Sequence, residues 1–319
     1  MSLQGLGTEN SPFLVHTWTE LKEAFKKENN GNELSTSNYQ YISLENDIDM
    51  TTETKGWLQK DDRIILHSYI KFLGNNHVIR ALAIVDMDLF YSSDLISDVY
   101  FDNLRIESFY ILGQYSSSSI LMSKTGTSDK KIYFNNCSFS GILDGLHTYV
   151  GLITTVKSQY NYVYMNNCVF NLYLKDKATF YGNVDLSTMP MIFMTNCNIY
   201  LQGQPYVDNR GVFCTNGDLT TCQIRGNLKS RGRVGNYGDN YFILFGGQKG
   251  AYNVIDLTTD TVEKIGINDS STIINTHNAP NIKVSMISSD YLFDFTDPAG
   301  DGSMTLEDKL ISLNFLYGA

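Results

Sequence analysis

Arg225, Lys229, Arg231 and Arg233, with Tyr237 close behind, gather four of the chain's 24 basic residues into one short Gly-rich segment. Guanidinium forks suit the carboxylates and phosphates of acidic glycans, and a tyrosine ring can lie on a sugar face. A solvated Gly-rich loop is the competing reading of the same residues. Asp86 and Asp88 alternate on one expected strand and share a face, a placement that would serve calcium ligation beside a base; a solvated strand edge explains them more plainly. Asp297-Pro298-Ala299-Gly300-Asp301-Gly302 half follows a calcium loop, but Ala299 stands where a ligand belongs and Asp308 where a bidentate Glu belongs, so it reads as a turn. His16, His67, His77, His147 and His277 are scattered without a nucleophile or ligand spacing, and no chemistry is assigned to them.

What would position such groups is a repeat. Phe101-Asp102-Asn103-Leu104, Phe134-Asn135-Asn136-Cys137, Met165-Asn166-Asn167-Cys168, Met194-Thr195-Asn196-Cys197 and Leu219-Thr220-Thr221-Cys222 share one pattern, an alternating apolar stretch that ends in an Asn-type turn. Their first residues are 33, 31, 29 and 25 positions apart, which suits stacked β-coils and not helical repeats of fixed length. One such coil cannot bury its apolar face alone and must stack on others. Stacking at about 4.8 Å per coil would place Cys137, Cys168, Cys197 and Cys222 in one inner column. Asn136, Asn167 and Asn196 would form a second column at the bend, where Asn tolerates the left-handed conformation and its amide both donates and accepts. These seven residues therefore read as structural ladders. Without Cys-x2-Cys or Cys/His spacing, no metal and no cofactor is expected.

The chain of 319 residues is 42% hydrophobic and 18% charged, with 21 Tyr, 17 Phe and only 5 Pro, enough to build one ordered solenoid with a large core. Its formal charge of -10 repels nucleic-acid backbones and anionic lipid, and favours neutral or cationic partners. Five Cys, four in register, read as reduced core thiols and not a disulfide framework, although stacking brings neighbours within bridging range. Met1-Ser2-Leu3 has no signal-peptide character and reads as an added leader on a natural chain. No apolar run approaches membrane-spanning length, so membrane insertion is not expected.

Three segments are expected. Residues 1-30 form an N-terminal extension with a capping helix, since Thr17 and Glu20 make a capping box and Leu21, Ala24 and Phe25 share a helical face. Residues 31-285 form roughly eight or nine coils, with polar excursions leaving the stack at 92-97, 114-129, 141-149, 175-189 and 225-240. Residues 286-319, helical in spacing from Thr305 to Leu313, form a C-terminal cap. Tyr149, Tyr160, Tyr162, Tyr173 and Tyr181 in or near the excursions would support carbohydrate contact, while some of them pack between coils.

Gly5-Leu6-Gly7-Thr8, Ser11-Pro12-Phe13-Leu14-Val15, Thr17-Trp18-Thr19-Glu20-Leu21, Leu44-Glu45-Asn46-Asp47-Ile48 and Leu73-Gly74-Asn75-Asn76-His77-Val78-Ile79 together resemble the N-terminal module of bacterial and phage right-handed parallel β-helix proteins. The likeness covers about the first 80 residues and is similar to tail-associated proteins of prophages. Beyond them the repeated strand and Asn turn resemble only the broad pectate-lyase-like superfold, which hosts lyases, hydrolases, adhesins and virion fibres. The fold expected is thus all-β, a single-stranded right-handed parallel β-helix with a short N-terminal capping helix. Hydrolases of the polygalacturonase type would need four catalytic motifs, and Gly145-Leu146-His147 and Asn281-Ile282-Lys283 are too degenerate to stand for them. The resemblance implies a non-catalytic tail-associated structural or receptor-binding protein that recognises surface polysaccharide, placed on a virion or cell surface beside other virion proteins. Homotrimerisation is implied by likeness alone, since no heptad supports it. A polysaccharide-degrading enzyme and a surface adhesin are the alternatives.

Overall fold

The computed structural model describes residues 3–26, 39–53, 58, 60–66, 69–93, 97–114, 118–124, 131–156, 162–183, 191–205, 217–228, 249–251, 254–259 and 273–277. Alternation decides the strands. In Lys131–Asn135 and Tyr162–Asn166, Ile132, Phe134, Val163 and Met165 point inward and are buried, while Lys131, Tyr133, Asn135, Tyr162, Tyr164 and Asn166 point outward. Among the described residues nine strands, from Phe13–Val15 to Lys249–Ala251, pair side by side in chain order as one sheet.

A second, thirteen-stranded sheet receives the chain after each turn, through strands such as Arg105–Leu112, Ser138–Val156, Val169–Asn183 and Asn198–Pro205. Every strand pairing in both sheets is parallel, so successive coils stack as a β-solenoid, as expected from the repeat. The described turns between the sheets are left-handed from the third coil on: φ is +63° at Asn76, +54° at Asn103, +53° at Asn136, +55° at Asn167, +54° at Asn196 and +54° at Thr221. Asn adopts that region at lower cost than other residues with a Cβ. The turn amides bond to the next coil, Asn136 N–H to the Asn166 carbonyl and Asn167 N–H to the Thr195 carbonyl, each at 2.9 Å.

The core is a continuous apolar column that includes Phe72, Phe101, Phe134, Phe139 and Phe170. Phe101 stacks on Phe134 at 4.8 Å and Phe139 on Phe170 at 5.5 Å. Each buried ring of this kind contributes roughly 1.5–3 kcal/mol through the water it sheds. At one end lies the helix Trp18–Lys26, which buries Trp18, Leu21, Ala24 and Phe25. Its Phe25 meets Phe72 at 5.6 Å and Phe90 at 6.0 Å. The cap is asymmetric: Glu20 N–H donates to Thr17 Oγ1 at 3.2 Å, but the Glu20 carboxylate accepts from the N–H of His16, not of Thr17, at 2.8 Å.

Several expected excursions are strands. Residues 141–149 lie within Ser138–Val156, whose pairing with Val169–Asn183 shifts register between Gly145 and Val150. Lys175 to Asn183 continues the next strand, and Ser118–Lys124 crosses the excursion expected at 114–129. Polarity misleads here because inner-facing serines find partners: Ser118 Oγ donates to the Leu112 carbonyl at 3.1 Å and Ser119 Oγ to Asp88 at 2.6 Å. Asp88 is therefore no solvated edge; it is 1% exposed, with the Arg63 guanidinium 3.6 Å away. Asp86 sits in a bend at φ +50° and accepts from the Gln114 N–H at 2.8 Å. The strands Val254–Thr259 and Ile273–His277 continue the second sheet, while residues 281–284 and the expected C-terminal cap at 286–319 lie outside the described residues. Among the described residues no helix is long and apolar enough to cross a membrane.

Candidate binding face

The in-register parallel pairing of the first sheet carries its outward side chains up the solenoid in straight rows. One row runs Tyr41, Lys71, Tyr100, Tyr133, Tyr164 and Phe193. Tyr100 and Tyr133 stack at 4.8 Å and 3°, Tyr133 and Tyr164 at 5.0 Å and 21°, Tyr164 and Phe193 at 4.7 Å and 10°. Strand spacing imposes this: rings one coil apart in one rotamer can only lie face to face.

Because the ring faces cover each other, the row shows solvent its edges and its phenolic hydroxyls. Burial pushes the Tyr133 phenol above its ordinary value and raises that of neighbouring Tyr39 to about 12. Both phenols therefore stay protonated at neutral pH and keep a hydroxyl able to donate.

Beside the rings runs an amide row. Asn135 Nδ2 donates to Asp102 Oδ1 at 2.8 Å, and Asn166 Nδ2 donates to Asn135 Oδ1 at 2.9 Å. Lys71 Nζ lies over the rings of Tyr39, Tyr41 and Tyr100 at 4.9, 5.3 and 5.4 Å. Lys131 Nζ lies over Tyr164 at 5.5 Å, and its backbone N–H donates to Asp98 at 3.0 Å. These cation–ring contacts hold the ammonium heads on the face without neutralising them. Among the described residues of this row, Lys71 and Lys131 stand beside Asp98 and Asp102, so basic and acidic groups alternate along it. Such a surface can bind a hydroxyl-rich partner by hydrogen bonding; flat stacking on ring faces is available only at the ends of the row.

The structural ladders occupy the neighbouring corner. Asn167 Nδ2 donates to Asn136 Oδ1 at 3.2 Å, and Cys137, Cys168, Cys197 and Cys222 are buried thiols that form no disulfide. The sulfurs of Cys168 and Cys197 donate to the Phe134 and Met165 carbonyls of the coil below, each at 3.3 Å. Of the basic segment, Arg225 belongs to the strand Gln223–Leu228 and not to a loop; its side chain, and Lys229, Arg231, Arg233 and Tyr237, lie outside the described residues. Tyr162 stands on the outer face 5.9 Å from Phe193, whereas Tyr173 is buried; the Tyr149, Tyr160 and Tyr181 side chains lie outside the described residues.

Tyr100, Tyr133, Tyr164 and Phe193 went unread in the sequence, though each immediately precedes a repeat segment and shares its steps of 33, 31 and 29. A hollow of about 290 Å³ beside Val169, Asn198 and Tyr200 on the second sheet has no carboxylate or basic group in its lining. Among the described residues no three His, Cys, Asp or Glu side chains group as metal ligands.

No family model matches the chain, so the pectate-lyase-like kinship has no family match. No curated protein matches it either. Among solved structures it is similar to a "putative immunoglobulin A1 protease from Bacteroides ovatus", with 16% identity, 85% of each chain covered and a TM-score of 0.36. A likeness of that extent bears on neither activity nor partner.

Proposed function

We propose that the chain is a non-catalytic rod of a phage or prophage tail, structural or receptor-binding, which recognises surface carbohydrate along the outer face of its first sheet. The observation that carries this reading is the straight row of Tyr100, Tyr133, Tyr164 and Phe193 beside the Asn135–Asn166 amide row. Parallel rows of hydroxyls and amides, repeated once per coil on a rigid support, match a linear polymer of hydroxylated units better than a single small molecule. The matched basic and acidic groups among the described residues of the face favour a neutral polysaccharide. In this reading Arg225, Lys229, Arg231, Arg233 and Tyr237 add further carbohydrate contacts, and the rod works on a virion or cell surface, singly or as a trimer with other virion proteins beside it.

Retention on a panel of immobilised neutral, acidic and amino polysaccharides tests this, with the eluate assayed for new reducing or unsaturated ends. Retention by a neutral polymer, weakened by Tyr133→Ala and without new ends, is the expected outcome. Chain cleavage, or retention indifferent to Tyr133, would overturn it.

A further inference from the structure

Asp144 and Lys175 are register partners on adjacent coils, in the strands Ser138–Val156 and Val169–Asn183. Asp144 is fully buried, and two donors converge on one of its oxygens: Lys175 Nζ at 2.9 Å and the Tyr110 hydroxyl at 2.8 Å from Oδ2. The other oxygen, Oδ1, is buried without any hydrogen-bond partner. A carboxylate kept as an ion pair in a dry site would need both oxygens satisfied, because desolvating the charge otherwise outweighs the attraction of one ammonium. Burial accordingly pushes the Asp144 carboxyl up from its ordinary value, against the pull of Lys175 and Tyr110, and the nearby charge of Asp176 pushes the same way. A protonated carboxyl in contact with an amine is an acyl acceptor facing a nucleophile.

We infer that Lys175 and Asp144 form an intramolecular isopeptide bond that staples two neighbouring coils of the solenoid. The ammonium first passes one proton to the carboxylate across the 2.9 Å contact, which leaves a neutral amine and a neutral acid. Nζ then attacks Cγ, closing from its contact with Oδ2 to the attack range of about 3–3.5 Å. The Nζ–Cγ bond forms, the Cγ–Oδ2 bond breaks, and Oδ2 departs as water carrying two of the three original ammonium protons. Tyr110 donates its hydrogen bond to that departing oxygen and keeps its own proton at the end. No oxidant, metal or second substrate enters, and the product replaces the contact of buried Asp144 with half-buried Lys175 by a neutral amide. The staple joins residues 31 positions apart in the chain, so it also restricts the unfolded ensemble as any covalent loop does.

Intact mass under denaturing conditions, after the folded full-length chain has been held at neutral pH, reads the bond directly. The wild type is expected to be lighter than its sequence by one water, and its tryptic digest to contain a branched peptide joining the segments of Asp144 and Lys175. Asp144 precedes Gly145, so backbone cyclisation would also lose one water; the Lys175→Met variant separates the two, because it should keep its full mass. Asp144→Asn should lose ammonia in place of water if the same amine attacks. Circular dichroism and a cooperative melt establish that each variant is folded. A folded wild type at full sequence mass overturns the inference, and so does a water loss that persists in Lys175→Met.

Discussion

Thr221 stands one coil above Asn196 in the same left-handed turn, each with φ +54°, and its hydroxyl donates to Asn196 Oδ1 while accepting from the Asn196 N–H at 3.3 Å. A β-branched residue pays more than Asn for that conformation, since its second γ atom crowds the backbone. Asn at 221 keeps a donor for Asn196 and removes the crowding. Thr221→Asn is therefore expected to raise stability by about 1 kcal/mol, seen as a higher urea midpoint at unchanged slope. Thr221→Val, which also loses the hydroxyl, should lower it. An unchanged or lower midpoint in Thr221→Asn would show that the turn is not strained by Thr221.

The thiol column should be chemically silent while the coil is intact. The hydrogen bond that the Cys168 thiol donates to Cys137, with burial, raises it from 9.0 to about 12, and the bond from Cys197 to Cys168 does the same for Cys197. The thiolate is the reactive species, so at pH 8 neither residue should take up iodoacetamide until denaturant is added. Peptide mapping must resolve the sites, because the fifth cysteine, Cys214, lies outside the described residues. Linkage sets a pH window as well. Above 9.0 the unfolded chain releases protons that folded Cys168 and Cys197 retain, so their contribution is complete below pH 9 and declines as pH rises toward about 12. A denaturant midpoint that falls over this window in wild type, and less in Cys168→Ala, is the expected result.

The repeat was legible because stacking constrains one short segment in every coil: the left-handed turn selects Asn at 103, 136, 167 and 196, and the tight inner corner selects Cys at 137, 168, 197 and 222. The cap was legible through Thr17, Glu20 and the buried stripe of Leu21, Ala24 and Phe25. The second sheet was not. Its strands include Gly, Ser, Asp and Lys at positions whose partners come from other coils, such as Ser119 with Asp88 and Lys175 with Asp144, and no local pattern announces them. The binding face was missed for a different reason. Tyr133 and Tyr164 carry the same period as the core, but an outward aromatic has no inward consequence, so attention to burial passes over it.

Gly203 tests how tightly successive coils meet. Its φ is +116°, and a Cβ there would stand 2.1 Å from the carbonyl oxygen of Leu174 in the preceding coil. Neither the dihedral nor a main-chain oxygen can give way without moving the Val169–Asn198 register that pairs the two strands. Gly203→Ala is expected to cost about 3 kcal/mol or more, measured by urea unfolding. A loss below about 1 kcal/mol would mean that these coils slide past each other freely.

Tyr133 separates the structural from the recognition role of the outer row. Its ring lies between Tyr100 at 4.8 Å and Tyr164 at 5.0 Å, and Phe preserves both stacks. Tyr133→Phe should therefore melt close to wild type, within about 0.5 kcal/mol, because only a partly exposed hydroxyl is lost. If that hydroxyl bonds the polysaccharide, the same variant should bind about fivefold more weakly, the worth of one neutral hydrogen bond of about 1 kcal/mol. Tyr133→Ala should lose binding further and also lower the melting temperature, since it opens a gap in the stack. The raised phenol adds a pH signature: Tyr133 stays a donor beyond the ordinary tyrosine value of 10.0, so binding lost to its ionisation should set in only above that pH. Equal affinity of Tyr133→Phe and wild type, with both retained on the same polymer, would move recognition away from this row.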